Sequence, residues 1–250
     1  THLGNGAFNN CAGLTSLNVT AGNADFSSQG GVLYDKDKTE LLLYPMAKPD
    51  KSLEIPNTVT SIAGNAFKGT LYLENVTAGD LTSIESSAFM NCEALTSFSA
   101  KSLGKVEFQA FYDSPALETF TLTEAGSLKT IEQGAFTNCS SLTGAPLAGA
   151  TSIGSGAFQN CTALTSLTFC ETDDVTIGSS AFSGCTGLTE LTFPERVKSI
   201  ESNAFRGCNK VTAVTFKSAN PPECGYRIFS IGDPNEFQIV VPADSENAYI

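Results

Sequence analysis

The chain has 250 residues, 41% of them hydrophobic, with 14 Lys and Arg against 26 Asp and Glu for a net charge of -12. Binding phosphate depends on clustered cations, so this balance argues against a nucleic-acid partner and against anionic membrane surfaces. No apolar run approaches the ~20 residues that span a bilayer, and a single histidine, His2, leaves a catalytic triad or a histidine metal site without its parts.

In chain order, Leu3, Phe8, Cys11, Leu14, Leu17 and Val19 set a pattern: aliphatic five before a Phe, small three after, aliphatic six after, then alternating inward residues. The first residue is Thr1 and no signal-like segment precedes Leu3, so the chain is expected to be a mature or trimmed fragment. Residues 23–56 interrupt the pattern. Within them Gly31–Tyr34 and Glu40–Tyr44 flank the polar Asp35–Lys38, which predicts a β-hairpin insert. Asp35 and Asp37 have the spacing of a calcium loop, but Glu40 and Met46 occupy the places where such a loop needs Gly and Glu.

From Ile62 the pattern repeats without a break. Its phenylalanines are Phe8, Phe67, Phe89, Phe111, Phe136, Phe158, Phe182 and Phe205, each preceded by Ala, and from Phe67 they are spaced 22, 22, 25, 22, 24 and 23 residues apart. Such a period predicts one continuous domain, residues 1–250: a right-handed leucine-rich-repeat solenoid, strand-dominated within the α/β class, of eight coils. The slot three after Phe holds Cys11, Thr70, Cys92, Ser114, Cys139, Cys161, Cys185 and Cys208, a column expected to be buried, reduced thiols and hydroxyls. Cys170 and Cys224 lie outside it and are expected to be free.

Two residues after each Phe stand Asn10, Gly69, Asn91, Asp113, Asn138, Asn160, Gly184 and Gly207, residue types that tolerate a left-handed turn. At nine and eleven after Phe the apolar residues alternate, as in Phe120 and Leu122 or Leu191 and Phe193, predicting short parallel strands. Ala145-Pro146-Leu147 weakens one of them. The residues between point outward: Asn18, Thr77, Ser99, Thr121, Pro146, Thr168, Thr192 and Thr215, of which Thr77, Ser99, Thr121, Thr168, Thr192 and Thr215 are a candidate binding face roughly 30 Å long at ~4.8 Å per strand. Residues 217–250 are expected to form a C-terminal cap with a last strand in Phe237–Pro242 and a helix starting at Asp244 or Ser245, the natural chain continuing past Ile250.

The Ile-x(4)-Phe pattern with Ala before the Phe and Cys three after it, the segment GGVLYDKDKTELLLYP and the ending VVPADSENAY resemble the BspA-like leucine-rich repeat family of bacterial surface proteins. The resemblance covers nearly the whole chain, with Thr70, Ser114 and Pro146 as departures. It implies a secreted or outer-surface protein of gut or oral bacteria, often lipid-anchored, with adhesion to host matrix proteins or other cells for some members. It brings no catalytic residues.

No enzymatic chemistry is read from the residues, and no cofactor or metal. Asp173, Asp174, Glu118 and Glu124 are expected to be solvated loop charges, and Tyr34, Tyr44 and Tyr72 to pack the hairpin on the first coils. The expected role is a monomeric, adhesin-like interaction module for a host or bacterial surface protein or glycan. The rival is a spacer presenting another domain.

Overall fold

The computed structural model describes residues 7, 8, 10–229 and 237–249; His2 and Leu3 lie outside them. Strand β1 (Phe26–Gln29) turns through Gly30 and Gly31, at φ 57° and 80°, into antiparallel β2 (Val32–Asp35). Strand β2 pairs antiparallel with β3 (Glu40–Leu43), so the hairpin forms. The Asp35 carboxylate closes its turn by accepting the N–H groups of Thr39 (2.7 Å) and Glu40 (2.9 Å) and the Thr39 hydroxyl (2.6 Å). Tyr34 and Tyr44 are buried, whereas Tyr72 is exposed.

The other edge of β3 runs parallel to β5 (Ser61–Ile62), with Leu41 beside Ile62. Strand β4 (Ser52–Glu54) likewise lies parallel to β6 (Asn75–Ile84), with Leu53 beside Val76. Leu41, Tyr44 and Leu53 thus take the Ile, Phe and ninth-residue places of a complete coil. The segment expected to be wholly an insert is half hairpin and half solenoid. A spacing of three between Leu41 and Tyr44, where the other coils have five, hides it in the sequence.

The aliphatic ladder then passes through β6, β7 (Ser97–Val106), β9 (Thr130–Ile131), β10 (Ser152–Ile153), β11 (Val175–Ile177), β13 (Val197–Ile200) and β15 (Glu223–Cys224). β8 (Thr119–Leu122) pairs with β7 away from this path, and β12 (Glu190–Phe193), β14 (Ala213–Phe216) and β16 (Gln238–Val240) form a separate parallel sheet. Nine strands, β3 to β15, make the ladder: seven from the expected coils, of which the first gives none among the described residues, and two more. One added rung is Leu41. The other is Cys224 beside Ile200, followed five residues later by Phe229, so the grid does not end at Phe216 as expected.

The phenylalanine stack follows the same limits. Tyr44 stacks on Phe67 at 5.2 Å, and Phe67, Phe89, Phe111, Phe136, Phe158, Phe182 and Phe205 follow at 4.4–5.3 Å, with Phe229 5.8 Å beyond. All but Phe229 are buried. Phe8, expected in this column, is only half-buried. Its coil has no strand among the described residues and leans on its neighbours through single bonds, such as Leu17 N–H to Gly31 C=O (2.9 Å) and Ala47 N–H to Leu14 C=O (2.9 Å).

Backbone bonds explain the alanine before each Phe. The Phe N–H donates to the Ala carbonyl of the next coil at 2.7–2.8 Å, from Phe67 to Ala88 through Phe182 to Ala204. These alanines are fully buried, a slot in which any larger side chain would overpack the stack. Between the Ile and the left-handed turn the chain makes successive tight turns, such as Ala66 N–H to Ala63 C=O and Lys68 N–H to Asn65 C=O. The expected terminal helix is a single 3₁₀ turn, Glu246–Ala248. Ser245 holds its N-cap position, but its hydroxyl donates back to the Pro242 carbonyl instead of capping.

Candidate functional site

The side chains of the solenoid present three columns with distinct chemistry. The innermost is the thiol column. Sγ of Cys92, Cys139, Cys161, Cys185 and Cys208 donates to the carbonyl of the Phe one coil earlier at 3.1–3.2 Å. Ser114 does the same through Oγ to Phe89 O at 2.7 Å while accepting the Cys92 N–H at 3.1 Å. The slot therefore requires a small donor, which is why Ser fits where the sequence alone suggests only a size limit. All the described cysteines are free. Burial pushes the Cys92 thiol up to about 11 and Cys208 to about 12, and raises Cys139, Cys161 and Cys185 as well, so these groups stay protonated and unreactive. At Cys170 burial also acts upward, but hydrogen bonds from the Thr172 hydroxyl and the Asp173 and Thr172 amides outweigh it, and its pKa is lowered. Among the described residues no group of three or more His, Cys, Asp and Glu is placed to hold a metal ion.

The second column is the strand face. Thr77, Ser99 and Thr121 stand side by side in β6, β7 and β8, and Ser52, Asn75, Ser97 and Thr119 form a second row in β4 to β8. Hydroxyls and amides link across the strands: Ser99 Oγ to Thr77 Oγ1 at 3.2 Å, Ser97 Oγ to Asn75 Oδ1 at 2.7 Å, and Asn75 Nδ2 to Ser52 Oγ at 3.5 Å. Thr192 and Thr215 pair in the separate sheet of β12 and β14, and Thr168 lies on no strand. The continuous ladder expected from Thr77 to Thr215 is thus two patches. Between them Ala145, Pro146 and Leu147 with Thr121, Leu122 and Thr168 line a notch of about 260 Å³. Pro146 has no N–H to give a ladder, and the coil before it carries the longest spacing, so strand pairing lapses here.

The third column is the arch. The residues two after Phe all take positive φ, from Asn10 (61°) through Asn91 (58°), Asp113 (54°), Asn138 (63°) and Asn160 (61°) to Gly207 (81°), as their types predict. A second left-handed position lies two residues before each Phe from Phe67 to Phe229: Asn65, Ser87, Gln109, Gly134, Gly156, Ser180, Asn203 and Arg227. Sequence reasoning misses it, because Ser, Gln and Arg carry no left-handed signal. The strain persists because each of these N–H groups from Asn65 to Asn203 reaches a carbonyl of the next coil at 2.8–3.2 Å.

With this geometry in view, the family model described as BspA type leucine rich repeat region matches six copies over residues 48–164 and 151–239. The chain belongs to that family. Among solved structures it resembles a leucine-rich repeat protein from Eubacterium ventriosum, with 22% identity, TM-score 0.59, and coverage of 85% of this chain and 51% of that one. It also resembles a leucine rich cell surface protein from Faecalibacterium prausnitzii, with 20% identity, TM-score 0.54, and coverage of 89% and 78%. A leucine rich repeat protein of T. pallidum is similar over 93% of this chain and 94% of its own, at 18% identity and TM-score 0.55. At these identities the likeness is one of fold, and the chain spans about half the length of the Eubacterium ventriosum protein. No curated protein matches the chain with significance.

Proposed function

We propose that this chain is a non-enzymatic, cell-surface interaction module, adhesin-like in that it binds a host or bacterial surface protein or glycan on the sheet of β4, β6, β7 and β8. The supporting observation is the double row of small polar side chains around Thr77, Ser99 and Thr121, held in register by hydrogen bonds across the strands. Such a bed meets a partner without the cost of ordering long side chains. The surface location rests on the family and on the Faecalibacterium relative, a leucine rich cell surface protein. Among the described residues no helix is long and apolar enough to cross a membrane.

The test is binding of the purified chain to host matrix proteins and glycans, beside Thr77→Lys/Thr121→Lys and, separately, Thr192→Lys/Thr215→Lys. Loss with the first pair alone supports the assignment; loss with the second alone moves the site to the other sheet. The spacer alternative is favoured by the Eubacterium ventriosum relative, of which the likeness covers only 51%. A folded, monomeric sample that binds nothing selects it.

A further inference from the structure

The arch column lines an open groove along one side of the solenoid. Asn91, Asp113, Asn138 and Asn160 line it with Pro115 and Ser140, over a volume of about 630 Å³ open to solvent, across the coils of Phe89, Phe111, Phe136 and Phe158. The left-handed backbone would be served as well by Gly, which occupies the same place at Gly69, Gly184 and Gly207. Four successive coils carry amides or a carboxylate there instead.

These groups are pre-aligned. The backbone N–H of each is fixed to the next coil, at Tyr112 O (2.9 Å), Thr137 O (3.0 Å), Gln159 O (2.8 Å) and Ser183 O (2.8 Å). Asn160 Nδ2 donates to Asn138 Oδ1 at 2.9 Å, and Asn138 Nδ2 donates to Asp113 Oδ1. Each donating amide keeps a second N–H, and the Asn91 amide has no protein partner among the described residues. The row thus offers alternating donors and acceptors at the coil spacing of about 4.8 Å, over roughly 14 Å. It ends at Gly184, where a Cβ would collide with Asn160 Oδ1.

The lining also excludes ligand classes. Glu93 and Asp113 have no Lys or Arg within ion-pair distance among the described residues, so phosphate, sulfate or carboxylate groups would meet uncompensated negative charge. Pro115 is the one apolar side chain in the lining, whereas protein partners draw most affinity from aromatic and aliphatic anchors in dry pockets. A chain of neutral sugar rings, dense in hydroxyls that both give and accept hydrogen bonds, matches what remains. We propose that this groove binds a linear neutral oligosaccharide laid along the solenoid axis. The site is separate from the strand face, though it shares the reading of the chain as a binding module.

The experiment titrates the ¹⁵N-labelled chain with cello-, manno- and laminari-oligosaccharides, from monosaccharide to hexasaccharide, following the side-chain NH₂ signals of Asn91, Asn138 and Asn160. The expected result is that these signals shift, that affinity rises with chain length until the groove is filled, and that Asn91→Gly/Asn138→Gly/Asn160→Gly weakens Kd roughly tenfold or more. Glycine suits the left-handed backbone at all three sites. Thr162→Arg, at an exposed position of the lining, blocks the groove while leaving the left-handed positions unchanged, at the loss of one exposed hydroxyl bond to the Ser140 carbonyl, and decides the matter if the triple variant does not fold. Absence of binding by the folded chain, binding that survives the groove variants, or preference for sulfated or sialylated sugars overturns the proposal. Loss with Thr121→Lys in place of the groove variants also overturns it, while leaving the strand-face reading intact.

Discussion

The coils of Phe67 and Phe89 and the coils of Phe111 and Phe136 have the same core under different strand faces. In the first pair β6 and β7 run unbroken for 10 residues each, pairing in register from Asn75 beside Ser97 to Ile84 beside Val106. In the second pair the chain lengthens around Ala125 and Gly126 and then meets Pro146, and the strand face falls open. The phenylalanine stack widens a little but stays unbroken: Phe67 to Phe89 and Phe89 to Phe111 are 4.4 and 4.8 Å, Phe111 to Phe136 and Phe136 to Phe158 are 5.2 and 5.1 Å. The arch and its N–H to Ala carbonyl ladder hold the solenoid in register, and the strand face is free to vary.

The sharpest way to break this comparison is Phe136→Ala beside Phe89→Ala. Both rings are fully buried, so each variant should cost about 3–5 kcal/mol by urea denaturation. A markedly smaller cost at Phe136 would show that the open strand face loosens the core beneath it. Phe8→Ala, at a half-buried ring, should cost distinctly less than either.

Next in size is Gly149→Ala. Its Cβ would lie no further than 2.7 Å from the O, C and Cα atoms of Gly126, backbone on both sides, for an expected loss of about 1–3 kcal/mol. Gly144→Ala, with no atom within 4 Å, should be close to neutral. Equal effects would mean that the irregular coil is pliable.

The thiol column separates the regions more finely. Ser114→Ala strands both the Cys92 N–H and one bond of the Phe89 carbonyl, at about 1–3 kcal/mol. Cys161→Ala leaves Phe136 O still accepting the Cys139 N–H, so roughly 1 kcal/mol is expected. The raised thiol pKa values add a pH dependence. The folded state holds these protons more tightly than the unfolded chain, whose thiols titrate near 9.0, so their contribution is complete below that pH. It is lost as pH climbs toward the folded values of about 11 for Cys92 and about 12 for Cys208. Urea midpoints should fall across that window, and native thiol labelling at pH 8 should modify the exposed Cys224 and the half-buried Cys11, expected in the column as buried, while sparing Cys92, Cys139, Cys161, Cys185 and Cys208. Rapid labelling of Cys92 or Cys161 would show that the coils open.

The sequence by itself determined the repeat, because columns one coil apart face the same neighbours and each therefore accepts only one kind of residue. Large aliphatics, Phe, Ala, small donors and left-handed formers are all legible in that way, and so is the family. What only the tertiary structure decided is where the rules bend. Tyr44 and Phe229 belong to the stack because backbone pairing at Leu41 and Cys224 puts them there, despite altered spacing or a substituted column residue. Ser87, Gln109 and Ser180 are left-handed because the coil above takes their N–H groups, a force no local propensity records. Pro146 marks a weak place in the threonine row in sequence, yet only the structure shows that the row is two patches in space: side-chain direction is a local property, whereas strand pairing depends on the lengths of both neighbouring coils.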